Sequence, residues 1–561
     1  MMYIGLLAVV LHSTLTAAAP LAGPTVTLDS ATVTGTTLLG VDRFLGIPFA
    51  EPPTGNNRFR LPVPIPEYTT SFSALQMGPA CPQQAINLPL PESLPANVTD
   101  FLINTAFGAI FPDDEDCLTI NVVRPAGTAS DANLPVVAWI FGGTVLITSC
   151  QNFLDLEMAL GGFELGSPQM YDGGAIVSRS VQLGEPVIYV SMNYRVTAFG
   201  FLASQEVKDA GVGNLGLQDQ REALRWVQKY IGAFGGDPTK VTIWGESAGA
   251  ISVSLQMLAN GGDTEGLFRA GFMQSGSPIP VGDITNGQPY YDALVEQTGC
   301  SDSADTLQCL REVPYDTLKA AVDASPGIFS YQSLKLAWLP RADGVFLADH
   351  PQKLVQQGKV ANIPIINGDC DDEGTLFSLS TLNVTTEAQI REYVKTIFLT
   401  TISDEDLDAL LEAYPQDITQ GSPYNTGILN ALSPQFKRFA SFQGDAVFQA
   451  PRRFFFENLD GKQPIWAFLS KRFKGTPILG SFHASDILNV YGGGGMADYL
   501  IRFVANLDPN GSTGISWPKY SQAAPTLLTF LDGLIPQALT QDTYRVDAMK
   551  TLTQVLLTNP V

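Results

Sequence analysis

Gly245-Glu246-Ser247-Ala248-Gly249 is where this chain could do covalent chemistry. A serine with glycine two residues away on both sides suits a tight turn from a strand into a helix, because only glycine lets the backbone close up there. Val241-Thr242-Ile243-Trp244 before it reads as a strand, and the apolar run from Ala250 to Leu258 after it reads as a helix. The turn would lift the hydroxyl above the sheet edge, and the helix would aim its N-terminus at developing negative charge. A bare G-x-S-x-G is weak, since a chain with 52 glycines can form one as a plain structural turn. The strand and helix on either side raise it to a candidate nucleophile for acyl transfer.

A serine nucleophile needs a base, and the chain has only three histidines, His12, His350 and His483. His12 falls in an N-terminal segment that reads as a cleaved signal. His350 precedes Pro351 in a turn-like setting, ahead of any plausible acid. His483, in Gly480-Ser481-Phe482-His483-Ala484-Ser485-Asp486, follows a strand-like run, Pro464 to Leu469. Where such a turn carries the serine, the acid comes next along the chain and the histidine last, and only His483 leaves room for that order. Asp369-Cys370-Asp371-Asp372-Glu373 follows the strand-like Ile363-Pro364-Ile365-Ile366 and offers four carboxylates. One would orient the imidazole. The other three read as a solvated loop, and the residue types alone do not choose among the four.

These residues need a scaffold, and the chain reads as α/β. Pro135 to Phe141 and Pro186 to Met192 are further buried-strand patterns, and Gln220 to Ile231 repeats apolar residues at helical spacing before Gly235-Gly236-Asp237-Pro238 breaks it. Alternation of strands and helices implies a mostly parallel sheet flanked by helices. With 45% apolar and 16% charged residues the chain is globular, and its net charge of −23 excludes nucleic acid, whose phosphates need a basic face. The same charge disfavours anionic lipid but leaves neutral lipid open. Residues 1–19 read as a secretory signal, an apolar run followed by Thr16-Ala17-Ala18-Ala19, and residues 20–561 as one catalytic domain. No later run is long enough to span a membrane. Secretion permits disulfides among Cys81, Cys117, Cys150, Cys300, Cys309 and Cys370. It also permits glycans at the sequons Asn97, Asn383 and Asn510.

Phe234 to Pro238 through Gly249, with Glu115-Asp116-Cys117-Leu118-Thr119-Ile120-Asn121-Val122, resembles the paired signatures of the type-B carboxylesterase/lipase family. Asn193-Tyr194-Arg195, Gly213 to Arg221, Met273 to Gly276, Asp372 to Thr375, Phe482 to Ala484 and Trp517 to Tyr520 fit in order. The likeness is to secreted fungal lipases of the Candida rugosa and Geotrichum type, and runs from about Thr27 to the chain's end. It implies the α/β-hydrolase fold, Glu373 as the third member beside Ser247 and His483, and no metal or organic cofactor. It also implies the bridges Cys81–Cys117 and Cys300–Cys309, and an Arg58–Glu115 ion pair that ties the first bridge down. Residues 81–117 then become a disulfide-based lid. Read alone, Leu102, Ile103, Ala106, Phe107, Ile110 and Phe111 would put an apolar face on one side of a helix.

The backbone amides of Ala248 and Gly143 are the expected oxyanion donors. The fungal pattern F-G-G-G-F-E-x-G-S-P is interrupted here, because Thr144 to Gly161 separates Phe141-Gly142-Gly143 from Gly162-Phe163-Glu164-Leu165-Gly166-Ser167-Pro168. One reading is an extra apolar lid, with Phe153 to Leu160 as two helical turns. The preferred reading is a translated intron, which would also explain the stray Cys150 and make Gly162 a third oxyanion donor. The expected activity is a secreted triacylglycerol lipase working on a water-insoluble ester at an oil–water interface. A general carboxylesterase or sterol esterase would share every catalytic residue. A cholinesterase-like enzyme is disfavoured because no Trp lies between Cys81 and Cys117 to cage a quaternary ammonium. A non-catalytic adhesion protein of the neuroligin kind is disfavoured because such proteins lose the serine.

Overall fold

The apolar runs of the sequence become the middle of one sheet. In the computed structural model, which describes residues 23–86, 112–142, 144–146 and 158–561, eleven strands hydrogen-bond in a single row. Two short pairings stand apart from it. One joins β1 (Thr25–Leu28), β2 (Ala31–Thr34) and β5 (Phe72–Ser73), and the other joins β8 (Thr144–Leu146) to β9 (Met158–Leu160).

Along the main sheet, β3 (Thr36–Leu38), β4 (Val41–Pro48) and β6 (Thr119–Pro125) form an antiparallel flank. β6 then pairs antiparallel with β10 (Ile188–Met192). From β10 the order is β7 (Leu134–Ile140), β11 (Gly236–Glu246), β12 (Ala270–Gln274), β13 (Ile365–Cys370), β14 (Ile465–Ser470) and β15 (Thr526–Phe530), all parallel. β16 (Gln537–Gln541) returns antiparallel at the edge.

The inner parts of β7 and β14 read as nearly unbroken apolar runs, as expected of parallel strands that are covered on both faces. β7 is buried from Val136 to Ile140 and β14 throughout. Trp139 and Trp244, on neighbouring strands, bring their rings to 4.2 Å, and Tyr491 stacks on Trp244 at 5.2 Å. The strand expected at Val241–Trp244 is longer than its apolar core. It starts at Gly236, and the pairing with β7 shifts register between Gly236 and Val241, which lets Asp237-Pro238 be accommodated as an irregularity. Every parallel strand ends at the same sheet edge, and in such sheets the loops beyond those ends build the site.

Candidate active site

Ser247 follows directly on β11 and precedes the helix Ala248–Leu258. Its backbone sits at φ 54°, ψ −122°, a conformation that a non-glycine residue holds only when its surroundings fix it. Those surroundings are tight. A Cβ at Gly245 would come 2.3 Å from the Gly249 backbone, and one at Gly249 would come 2.0 Å from the Ile140 carbonyl at the end of β7. The Ser247 N–H donates to Gln274 O at 2.9 Å, which ties the turn to β12.

Glu373 lies in the loop after β13 and His483 in the loop after β14, the adjacent strand. The two loops are laced together just ahead of each group, one residue before Glu373 and two before His483. Asp372 N–H donates to Ser481 O at 3.0 Å, and Ser481 N–H donates back to the Asp372 carboxylate at 2.8 Å. This brings His483 Nδ1 to 2.6 Å from Glu373 Oε2, and His483 Nε2 to 2.8 Å from Ser247 Oγ. The other oxygen of Glu373 accepts the Cys370 N–H at 2.6 Å. His350 stands at the head of the helix Pro351–Gln356 beside Asp349, outside the contacts around Ser247.

The imidazole is buried between aromatic rings, with Phe448 at 4.5 Å and Phe377 at 5.1 Å between centroids. Burial penalises the imidazolium and lowers its pKa from 6.5 to about 4, against the opposing pull of the Asp486 and Asp369 carboxylates. Burial acts on Glu373 in the other direction, raising it, and the hydrogen bond from Cys370 N–H opposes that rise. Only neutral imidazole can take a proton, and lowering its pKa keeps that form present in more acid solution. The acid limb of kcat/KM on a soluble ester should therefore lie well below 6.5, toward about 4. A limb at 6.5 or above would contradict this electrostatic reading.

Beside Ser247 opens an apolar cleft of about 610 Å³, its mouth included. Ala248, Gly162, Ile328, Leu336 and Phe448 help to line it, and Ser247 carries the only polar side chain among its described lining residues. Such a shape suits a hydrocarbon chain that reaches the serine through its carbonyl end. Ala248 opens its helix, where an N–H has no partner within the helix. Gly162 sits at φ 72° in the cleft wall, and Gly143 lies outside the described residues. The sequence reading passed over Gly142. A Cβ there would meet Glu246 O at 2.0 Å and Ala248 N at 2.9 Å, so this glycine is what lets the loop after β7 close on the serine turn. It also passed over Phe377 and Phe448, and over Glu246, whose Oε1 is 3.5 Å from His483 Nε2.

One expectation is corrected. Asp369, Asp371 and Asp372 are not a solvated loop; they are buried, and each has a basic partner. Arg452 holds Asp369 at 2.7 Å, and Lys474 reaches Asp371 at 2.7 Å and Asp372 at 2.6 Å. A second difference lies in the interruption of the fungal pattern, where Met158–Leu160 is strand rather than the end of a helix. Cys81 is bonded to Cys117 and Cys300 to Cys309, and Cys370 is buried as a free thiol. Arg58 grips Glu115 with two bonds of 2.6 and 2.7 Å. Of the sequons, Asn383 is exposed, whereas Asn510 is half-buried and donates to Asp508 and Trp517 O. Asn97, Cys150, the signal-like segment 1–19 and the apolar lid helix lie outside the described residues.

The family model described as "Carboxylesterase family" matches residues 22–545. Lipase 5 of Diutina rugosa is 46% identical over 90% of this chain and 92% of its own length. The secreted triacylglycerol lipase LIP1 of Gibberella zeae is 41% identical over 93% of this chain and 89% of its own. Among solved structures, Aspergillus niger EstA superimposes with a TM-score of 0.78 at 27% identity, covering 96% of this chain and 99% of EstA.

Proposed function

The chain belongs to the carboxylesterase family, and on that premise we propose that this carboxylic ester hydrolase is a secreted triacylglycerol lipase with Ser247, His483 and Glu373 as its catalytic residues. The observation that carries the reading is the hydrogen-bonded chain from Ser247 Oγ through His483 to Glu373, set at the wall of a cleft whose other described lining side chains are apolar.

In the proposed mechanism Ser247 Oγ attacks the ester carbonyl carbon as His483 Nε2 takes the hydroxyl proton. The carbonyl oxygen becomes an oxyanion, held by the N–H of Ala248 and those of Gly143 and Gly162. The tetrahedral intermediate then collapses, the C–O bond to the alcohol breaks, and Nε2 returns its proton to the leaving oxygen. Water attacks the resulting acyl-serine in the same way and releases the fatty acid. Glu373 keeps the imidazole in the tautomer with its proton on Nδ1 and stabilises the imidazolium that forms. The cleft takes the acyl chain.

Lipase is preferred to a general or sterol esterase because relatives along nearly the whole chain are named lipases, one of them a secreted triacylglycerol lipase. Secretion fits the signal-like segment 1–19, and no helix among the described residues is long and apolar enough to cross a membrane. The test compares a triglyceride with a p-nitrophenyl ester, each below and above its solubility limit. The rate on the triglyceride should rise sharply once droplets form. A rate that simply saturates with dissolved ester, with no rise at the droplet threshold, would favour the general esterase.

A further inference from the structure

The largest exposed apolar side chains outside the N-terminal hairpin gather on loops beside the candidate site. Leu534 is 103% exposed and Ile535 72%, at the tip of the β15–β16 hairpin. Ile428 is 72% exposed and Leu429 68%, on the loop that precedes the helix Phe436–Gly444. Because β15 runs parallel to β13 and β14, its C-terminal end at Phe530 points the same way as the ends that lead to Glu373 and His483. The hairpin tip therefore projects from the active edge of the sheet.

Loop 471–480, between β14 and His483, holds both tips. Lys471 N–H donates to Phe530 O at 2.8 Å and Lys474 N–H to Asp532 at 3.1 Å. On its other side Ile478 N–H donates to Asn430 at 3.0 Å. The Ile428 loop is also fixed to Asp372, the neighbour of Glu373, which accepts the Tyr424 N–H at 2.8 Å. The Leu531 N–H closes the hairpin tip on Pro536 O at 2.9 Å. Apolar tips tied down this firmly form a fixed ridge, and leaving them in water costs about 25 cal/mol per Å² of apolar surface.

We propose that this ridge is a docking surface that seats the enzyme on a neutral lipid surface, such as a triglyceride droplet. The proposal rests on the lipase reading above. Charge selects the occupant. The ridge's cations are already engaged: Lys471 by Asp371 at 3.6 Å, Lys474 by Asp371 and Asp372, Lys437 by Thr426 and Gly427 O, and Arg472 by Asp532 at 4.0 Å. Among the described residues of these loops none is spare for an anionic headgroup, and a chain of net charge −23 is repelled by an anionic surface. A neutral oil asks only for apolar contact, and here the contact surface stands on the edge where an ester must reach Ser247.

The test uses the full chain and two double variants, Leu534→Ser with Ile535→Ser, and Ile428→Ser with Leu429→Ser. Adsorption to a triolein emulsion is measured by sedimentation, alongside hydrolysis of a soluble p-nitrophenyl ester. Each double variant should adsorb at least about tenfold more weakly, with kcat/KM on the soluble ester unchanged. Doping the droplets with phosphatidylserine should weaken adsorption of the unaltered chain. Undiminished adsorption of both variants would overturn the proposal. So would a wild-type dimer in gel filtration that both variants dissociate while adsorbing normally, since the ridge would then be a self-association surface. Ridge-dependent adsorption without any triglyceride hydrolysis would leave the ridge standing and overturn the lipase reading alone.

Discussion

Replacing Ser247 by alanine is expected to lower ester turnover by several powers of ten, with the thermal unfolding profile unchanged. The hydroxyl is the nucleophile that forms the acyl-enzyme in the proposed mechanism, and its loss removes that intermediate. The backbone strain at φ 54° falls on alanine as it does on serine, and the hydroxyl's partner in the site is His483 Nε2. His483→Ala should cost nearly as much, because serine and base act as one unit. The double variant should therefore be scarcely worse than either single one. Glu373→Gln tests the third member by a different route. An amide placed 2.6 Å from Nδ1 can present N–H where the imidazole also presents N–H, and this forces the tautomer that leaves Nε2 protonated. Its turnover should fall by about 10³–10⁴. The measurement is kcat on a soluble ester with folding followed in parallel. Near-normal turnover in folded Ser247→Ala or His483→Ala would remove the mechanism.

Joining Gly143 directly to Gly162 is expected to raise turnover at least about tenfold over the full-length chain. The interruption from Thr144 to Gly161 falls between two of the proposed oxyanion donors, and each such donor is worth about 10²–10³ in turnover. The pairing supports excision. Thr144 lies opposite Leu160 in the β8–β9 ladder, so the interruption leaves the loop and returns to it at one place. Removing it calls for little movement of the flanking chain. Before it, Gly142 already lies against the serine turn, and after it, Gly162 lines the cleft with Ser247 and Ala248. This is the arrangement the uninterrupted fungal pattern would place next to Phe141. We take the interruption to be a translated intron, and expression of both forms decides the matter. If the full-length form is equal or better, the segment is a genuine part of the enzyme and the oxyanion site must be redrawn around Thr144.

What could be read from the sequence follows from which forces are local. The strand ahead of Ser247 and the helix after it show in consecutive residues, because a central parallel strand is apolar on both faces. The scarcity of histidine, with the serine–acid–histidine order that goes with such a turn, then points to His483. The three aspartates near Glu373 were misread for the opposite reason. Their burial depends on Arg452 and Lys474, which are far away in sequence, and no local window shows a pairing of that kind. Phe377 and Phe448, which desolvate the imidazole, are equally remote from it along the chain. Gly142 escaped notice because its requirement is steric and comes from the Glu246 carbonyl across the sheet. The antiparallel edge β15–β16 also escaped. β16 is only partly buried and carries no unbroken apolar run, so its sequence looks like loop.

The measurement that tests the central claim most directly is capture of the acyl-enzyme. The full-length chain is mixed with a p-nitrophenyl ester, quenched in acid within a turnover, digested and analysed by mass spectrometry. The account expects a burst approaching one equivalent of p-nitrophenol per enzyme, with the acyl mass carried on Ser247. Both the burst and the adduct should vanish in Ser247→Ala. An acyl group found on another residue, or a burst that survives in Ser247→Ala, would contradict the account.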